Sequence, residues 1–171
     1  NQLFRECQVR ITSIALLHET LHRSHDLSRI KMGDYIRTLT GHLFRSYGVD
    51  PNLISLELNV DDVEFDIDTG LTCGLIIDEL VSNCLKHAFI DDSGGTVHID
   101  LLDHVDGTFT LCVSDNGIGI PKDGVLNNPD SLGLELVTLL AEKLDGSTEL
   151  RSGAGTEWQI RFQQLQYSER V

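Results

Sequence analysis

Positive charge is scarce in this chain. Its 171 residues hold 13 Lys and Arg against 27 Asp and Glu, a formal net charge of −14. Such a field disfavours nucleic acid and anionic membrane surfaces as partners. A ligand that is itself an anion needs a local cation or a metal to offset it. Cys7, Cys73, Cys84 and Cys112 show no paired metal-type spacing. Three of them sit in apolar-periodic segments, which predicts buried free thiols and suits a reducing cytoplasm. No apolar run is long enough to cross a bilayer, and no signal peptide is seen. No internal repeat or low-complexity tract stands out. What is present is a globular composition: 40% of residues are hydrophobic, which argues against disorder. The length fits one domain, with or without a helical arm, and allows a real core.

Leu3, Cys7, Ile11, Ile14, Leu17 and Leu21 recur at three- and four-residue steps. They predict an amphipathic helical arm that packs on its own domain or pairs with a partner helix. Asn1 stands inside this pattern, so we expect a piece cut from a larger protein. Ser24 to Ser28 reads as a break. A second helix follows, with Tyr35, Ile36, Leu39, Leu43 and Tyr47 on one face and Gly48 as its stop. Strand alternation comes next, in Ile54-Leu56-Leu58-Val60 and Val63-Phe65-Ile67. It returns in Val97-Ile99-Leu101, Phe109-Leu111-Val113 and Trp158-Ile160-Phe162. Sheets with one covered face alternate in this way. The fold predicted is an α/β two-layer sandwich, a mixed sheet covered on one face by helices, with an N-terminal helical arm. Glu57, Glu64 and Asp66 are expected to be solvated strand surface. Residues 116 to 131 form the one long irregular segment, a length typical of functional loops.

Three segments carry chemistry. The first is the strand-like Thr110-Leu111-Cys112-Val113-Ser114 running into Asp115-Asn116-Gly117-Ile118-Gly119. A carboxylate at a strand end can accept a hydrogen bond from an adenine amino group. Glycines let backbone approach a base or phosphate closely. A tight hairpin turn is the competing reading, but Pro121, Lys122, Asp123 and Gly124 break the alternation after it. The second is a helix, with Asp68 as its expected cap, running through Ala88. Glu79, Asn83, Lys86 and His87 fall on one stripe of it, opposite Ile77, Leu80, Val81, Cys84 and Ala88. A solvated amphipathic helix divides in the same way. This polar stripe, however, offers a base, a neutral oxygen suited to magnesium and two groups suited to phosphate. The third is Ser131-Leu132-Gly133-Leu134 opening an apolar-periodic helix, with Gly155-Thr156 far downstream. Helix starts attract phosphate, and an ordinary helix capped by Ser131 is the plainer alternative.

In this order and spacing the segments resemble the ATP-binding domain of histidine kinases, of the superfamily shared with DNA gyrase and the mismatch-repair ATPases. Glu79 to Phe89 resembles the asparagine box, Asp115 to Gly119 the first glycine box, Ser131 to Leu134 the second, and Gly155-Thr156 the last. Arg10 to Leu21, Tyr35-Ile36-Arg37 and Leu43 to Gly48 resemble the kinases with the second type of dimerisation region. The resemblance covers nearly the whole chain. It implies residues 1–27 as the C-terminal helix of a dimerisation hairpin and 28–171 as the ATP-binding catalytic domain.

The resemblance also implies the roles. Asp115 binds the adenine amino group, Gly117 and Gly119 let the base sit close, and Thr156 assists. Asn83 holds Mg2+, Lys86 and His87 face the phosphates, and the Gly133-Leu134 backbone approaches them. Glu79 orients or deprotonates the attacking imidazole. The cofactors implied are ATP and Mg2+. The partners implied are a second copy, pairing through the N-terminal helix, and a response-regulator receiver domain. Nucleic acid and membrane contact by this chain are not expected, and a cytoplasmic location is. The acceptor histidine is expected upstream of Asn1; His18-Glu19 lacks the basic and proline residues that follow such an acceptor. A metal site at His18, His22 and His25 has no completing cysteine or carboxylate. Residues 116 to 131 suit a lid. Two departures from the pattern are Ser131 in place of a glycine and Asp78 in place of asparagine, an extra carboxylate expected near ATP. They keep open a non-enzymatic regulatory module; a serine kinase of the anti-sigma-factor type is the other alternative.

Overall fold

The computed structural model describes residues 11, 15, 28–90, 94–120 and 131–164. The arm predicted over Leu3 to Leu21 falls outside them apart from Ile11 and Ala15, as do His18, His22, His25 and most of the predicted lid. The described elements are β1 (Arg29–Lys31), α1 (Met32–Ser46), β2 (Ile54–Val60), β3 (Glu64–Asp66) and α2 (Ile67–Asn83). A π-helical turn (Cys84–Ala88) continues α2, and β4 (Gly95–Asp103), β5 (Thr108–Asp115), α3 (Ser131–Lys143), β6 (Ser147–Gly153) and β7 (Gly155–Gln163) follow. The main sheet has the order β2-β4-β5-β7-β6. β2 and β4 run parallel and the other pairs antiparallel, so the sheet is mixed.

Period-two alternation gives the sheet two different faces. Val97, Ile99, Leu101, Leu111, Val113, Ile160 and Phe162 lie on the covered face in one core with Ile76, Ile77, Leu80 and Val81 of α2 and Val137 and Ala141 of α3. The opposite face carries polar cross-strand pairs: Glu57 to His98 at 3.2 Å, Asn59 to Asp100 at 2.9 Å and Glu157 to Arg151 at 3.0 Å. The expected two-layer arrangement is therefore present.

The helix α1 buries Tyr35, Ile36, Leu39 and Leu43, the face its periodicity predicts. It ends in a Schellman arrangement. Gly48 has φ of +64°, its N–H donates to the Arg45 carbonyl, and the Val49 N–H donates to that of Phe44.

Three local expectations need correcting. The cap of α2 is Asp66, whose carboxylate accepts from the Thr69 N–H at 2.9 Å and from its hydroxyl at 2.8 Å. Asp68 sits inside the first turn, where its charge still suits the helix dipole. Asp66 is thus a cap and not solvated strand surface. Ile67 begins α2 and is 39% exposed, so the alternation stops at Phe65. Two strands were also unforeseen. β1 pairs antiparallel with β3 and buries only Ile30. β6 is an edge strand with one apolar side chain, Leu150. Phe65 joins the small sheet to the large one, with ring centroids 4.8 Å from Phe109 and 5.8 Å from Phe162.

Candidate nucleotide-binding site

Asp115 ends β5 and is 7% exposed. Its Oδ1 accepts from the Gly117 N–H at 2.9 Å, and its Oδ2 accepts from the Cys84 thiol at 3.4 Å. On β7, Thr156 lies directly opposite Asp115, and opposed residues share a face of the sheet. Burial pushes the Cys84 thiol well above its ordinary range, and the Asp115 charge and hydrogen bond push it further. Cys84 therefore keeps its proton at neutral pH and acts as a donor.

The segment after Asp115 is held on both sides. The Asn116 N–H donates to the Thr96 carbonyl, and its side-chain Oδ1 accepts from the Thr96 N–H at 2.8 Å. The Ile118 N–H donates to the Ala88 carbonyl at 3.0 Å, and the Ile120 N–H to the Ser152 hydroxyl at 2.8 Å. A Cβ on Gly117 would run into the Ala88 carbonyl, so this crossing admits only glycine. Gly119 has φ of +73°, a conformation that disfavours other residues. The hairpin alternative fails, because β5 pairs with β4 and β7 and no strand follows among the described residues up to Ile120.

Glu79 and Asn83 stand one turn apart on α2, both half-buried. Gly133, in the first turn of α3, lies against them. A Cβ there would stand 2.9 Å from the Glu79 Oε2 and 3.9 Å from the Asn83 Nδ2. Leu134 packs on the core. Lys86 is half-buried and His87 exposed. Both lie in the π-helical turn, so the 100° periodicity that carries Glu79 to Asn83 does not extend to them. Asp78 is 2% exposed, and its charge, after burial, helps push the buried Tyr35 hydroxyl of α1 upward. The expected carboxylate near the nucleotide thus faces the α1–α2 core instead.

These contacts draw three separated motifs together. Cys84, the residue after Asn83, bonds Asp115, Gly117 packs on the end of the same turn, and Gly133 packs on Glu79. Cys84, Asn116 and Ser152 were not singled out for the site. Asn116 was visible as the neighbour of Asp115; nothing in the local pattern marks Ser152. Among the described residues no cluster of three or more His, Cys, Asp and Glu is fit to hold a metal. Magnesium is often held by one or two protein oxygens with phosphates and waters, and the Asn83 amide offers one such oxygen. Cys73 and Cys84 are buried free thiols and Cys112 is a half-buried one. No described helix is long and apolar enough to cross a membrane.

Comparison with known proteins bears on the family and the fold. Residues 70–166 match the family described as histidine kinase-, DNA gyrase B-, and HSP90-like ATPase, and residues 1–47 match a family described as histidine kinase. The sensor histidine kinase PdtaS of Mycobacterium tuberculosis is 32% identical over 157 residues, covering 89% of this chain and 30% of that protein. The blue-light-activated histidine kinase 2 of Erythrobacter litoralis is 31% identical over 104 residues, covering 60% of this chain and 30% of that protein. The chain thus spans about a third of the length of these relatives. Among solved structures, the histidine kinase domain of the Erythrobacter litoralis EL346 blue-light-activated kinase superposes with a TM-score of 0.79. That match has 24% identity and covers 92% of this chain and 74% of the other, a likeness of fold.

Proposed function

The chain belongs to the histidine kinase-, DNA gyrase B- and HSP90-like ATPase family, and we propose that it is the ATP-binding catalytic part of a sensor histidine kinase. In this reading a histidine imidazole attacks the γ-phosphorus of ATP. The N–P bond forms as the bond to the β,γ-bridging oxygen breaks, and ADP leaves. Glu79 orients the imidazole and takes its proton. Asp115 accepts from the adenine amino group with Thr156 beside it, Gly117 and Gly119 admit the base, and the Gly133-Leu134 backbone meets the phosphates. Lys86 adds positive charge and His87 a further hydrogen-bond donor, in a protein of formal net charge −14. Asn83 holds magnesium, which supplies charge neutralisation at the phosphates when bound. Phosphoryl transfer rests on such positioning and electrostatics.

The reading extends to assembly. Residues 1–27 serve as a dimerisation helix and 28–171 as the catalytic domain; the burial of α1 in the same core as the sheet supports the second assignment. The phosphoryl group passes to a response-regulator receiver domain, and the reaction takes place in the cytoplasm, where ATP is supplied. The observation that best supports this proposal is the convergence of Asp115, Gly117 and Gly133 on the C-terminal half of α2 and its π-helical turn.

The test is labelled ATP transfer by the full-length protein with its receiver domain. An acid-labile phosphohistidine is the expected product. An acid-stable phosphoserine would favour the serine-kinase alternative, and folded protein with neither binding nor transfer would favour a regulatory module.

A further inference from the structure

Both carboxylate oxygens of Asp115 are engaged from the protein side. Oδ1 receives the Gly117 N–H at 2.9 Å and Oδ2 receives the Cys84 thiol at 3.4 Å. The two donors come from different elements, the segment after β5 and the start of the π-helical turn. Rotation of the carboxylate to suit one donor loses the other, so together they fix its plane. The setting is buried: Asp115 is 7% exposed and Cys84 8%. An acceptor fixed in advance loses less freedom when a ligand arrives. A carboxylate free to turn can also relax away from a mismatched ligand group.

We propose that Cys84 is a positioning residue whose thiol hydrogen holds Oδ2 of Asp115 and thereby sets the preference of the site for adenine over 6-oxopurines. This rests on the assignment of Asp115 to base recognition. Adenine presents an amino donor to the carboxylate, whereas hypoxanthine presents a carbonyl oxygen and the like partial charges repel. With the carboxylate fixed, the repulsion is undiminished. Without the thiol, the carboxylate turns and the difference narrows. The donor persists across the neutral range because burial and the neighbouring charge keep the thiol protonated. A serine hydroxyl at the same place is a donor too; alanine is not.

The experiment is calorimetric titration of ATP and of inosine triphosphate into wild type, Cys84→Ala, Cys84→Ser and Asp115→Ala, with melting temperatures recorded. Cys84→Ala is expected to weaken ATP binding about three- to ten-fold, the range for a lost hydrogen bond. It should narrow the ratio of the two dissociation constants, and Cys84→Ser should restore most of that ratio. A purely structural role would lower the melting temperature and leave the ratio alone. If Asp115→Ala removes the preference while a folded Cys84→Ala keeps it, the Cys84 proposal falls and the site assignment stands. If Asp115→Ala changes neither affinity nor ratio, the assignment falls and takes the proposal with it. Should Cys84→Ala fail to fold, Cys84→Ser decides: a kept ratio supports the hydrogen bond, and a folded Cys84→Ser with a lost ratio overturns it.

Discussion

Asp115 and Thr156 stand directly opposite each other on β5 and β7, so a buried carboxylate and a hydroxyl share one side of the sheet at its end. The pairing brings the first and last glycine motifs together although they are far apart in sequence. Loss of a hydrogen bond to a charged group costs about 1.5–3 kcal/mol. Asp115→Ala should therefore weaken ATP binding by about ten- to a hundred-fold. Thr156→Val, which removes only a neutral hydroxyl, should cost less. Calorimetry on the folded variants checks both, and an unchanged affinity in Asp115→Ala would sink the assignment.

Glu79 and Asn83 occupy one stripe of α2, yet their chemistry separates them. Asn83→Ala is expected to weaken ATP binding by about ten-fold with magnesium present, with the gap to wild type closing when the ion is chelated. Glu79→Ala should leave nucleotide affinity near wild type and slow transfer by about a hundred-fold or more, the usual scale for a lost general base. The reverse pattern, with Glu79→Ala abolishing binding in a folded protein, would contradict this division of roles.

Gly133 gives a third test. A Cβ at this position would crowd the Glu79 Oε2 at 2.9 Å, and that atom is the far end of a flexible side chain. Gly133→Ala should therefore keep a melting temperature within a few degrees of wild type while disturbing Glu79. The readout is transfer rate set against thermal stability. A variant with unchanged transfer would show that the approach of α3 to Glu79 has no bearing on the reaction.

Much of the fold was legible because its signals are local and repeated. The α1 stripe ending in Gly48 predicts both the buried face and the stop that the structure shows. Strands β4, β5 and β7 each alternate strongly, as buried sheet strands with one polar face must. The misses have different causes. Strand β6 holds one partly buried Leu150 among polar residues, and its place comes from pairing with β7 rather than from its own pattern. β1 is three residues long and depends on β3. Asp66 and Asp68 are both plausible caps by composition; the turn away from β3 at Asp66 decides between them.

The site was legible as motifs but not as contacts. Asp115, Gly117 and Gly119 alternate within one short segment, and their candidacy as one motif shows in their order. Cys84 lies 31 residues before Asp115 and reads as one more apolar residue of a helix. Its hydrogen bond exists only because the sheet carries the end of β5 beneath the turn after α2. Asp78 went astray for a related reason. One residue from Glu79, it is rotated by about 100° on the helix, and so it faces Tyr35 and the α1 core.

Asp66 supports a prediction on stability and pH. Burial alone would raise its carboxyl, but the Thr69 N–H and hydroxyl, the Gln164 amide and the Asp68 N–H outweigh burial and hold it below its usual value. A group depressed in this way stabilises the fold fully above its unfolded value, about 3.9 for aspartate. That contribution is lost as pH falls through the lower folded value. At neutral pH, Asp66→Ala should cost about 0.5–2 kcal/mol, the range for a lost helix cap. Asp66→Asn keeps an acceptor for the Thr69 N–H at 2.9 Å and loses the charge, so it should fall between the two. The check is urea unfolding of all three proteins from pH 7 down to the lowest pH at which wild type folds. The gap between wild type and either variant should narrow below about pH 4. A gap that stays constant, or widens in acid, would mean that the ionised carboxylate of Asp66 does not hold the start of α2.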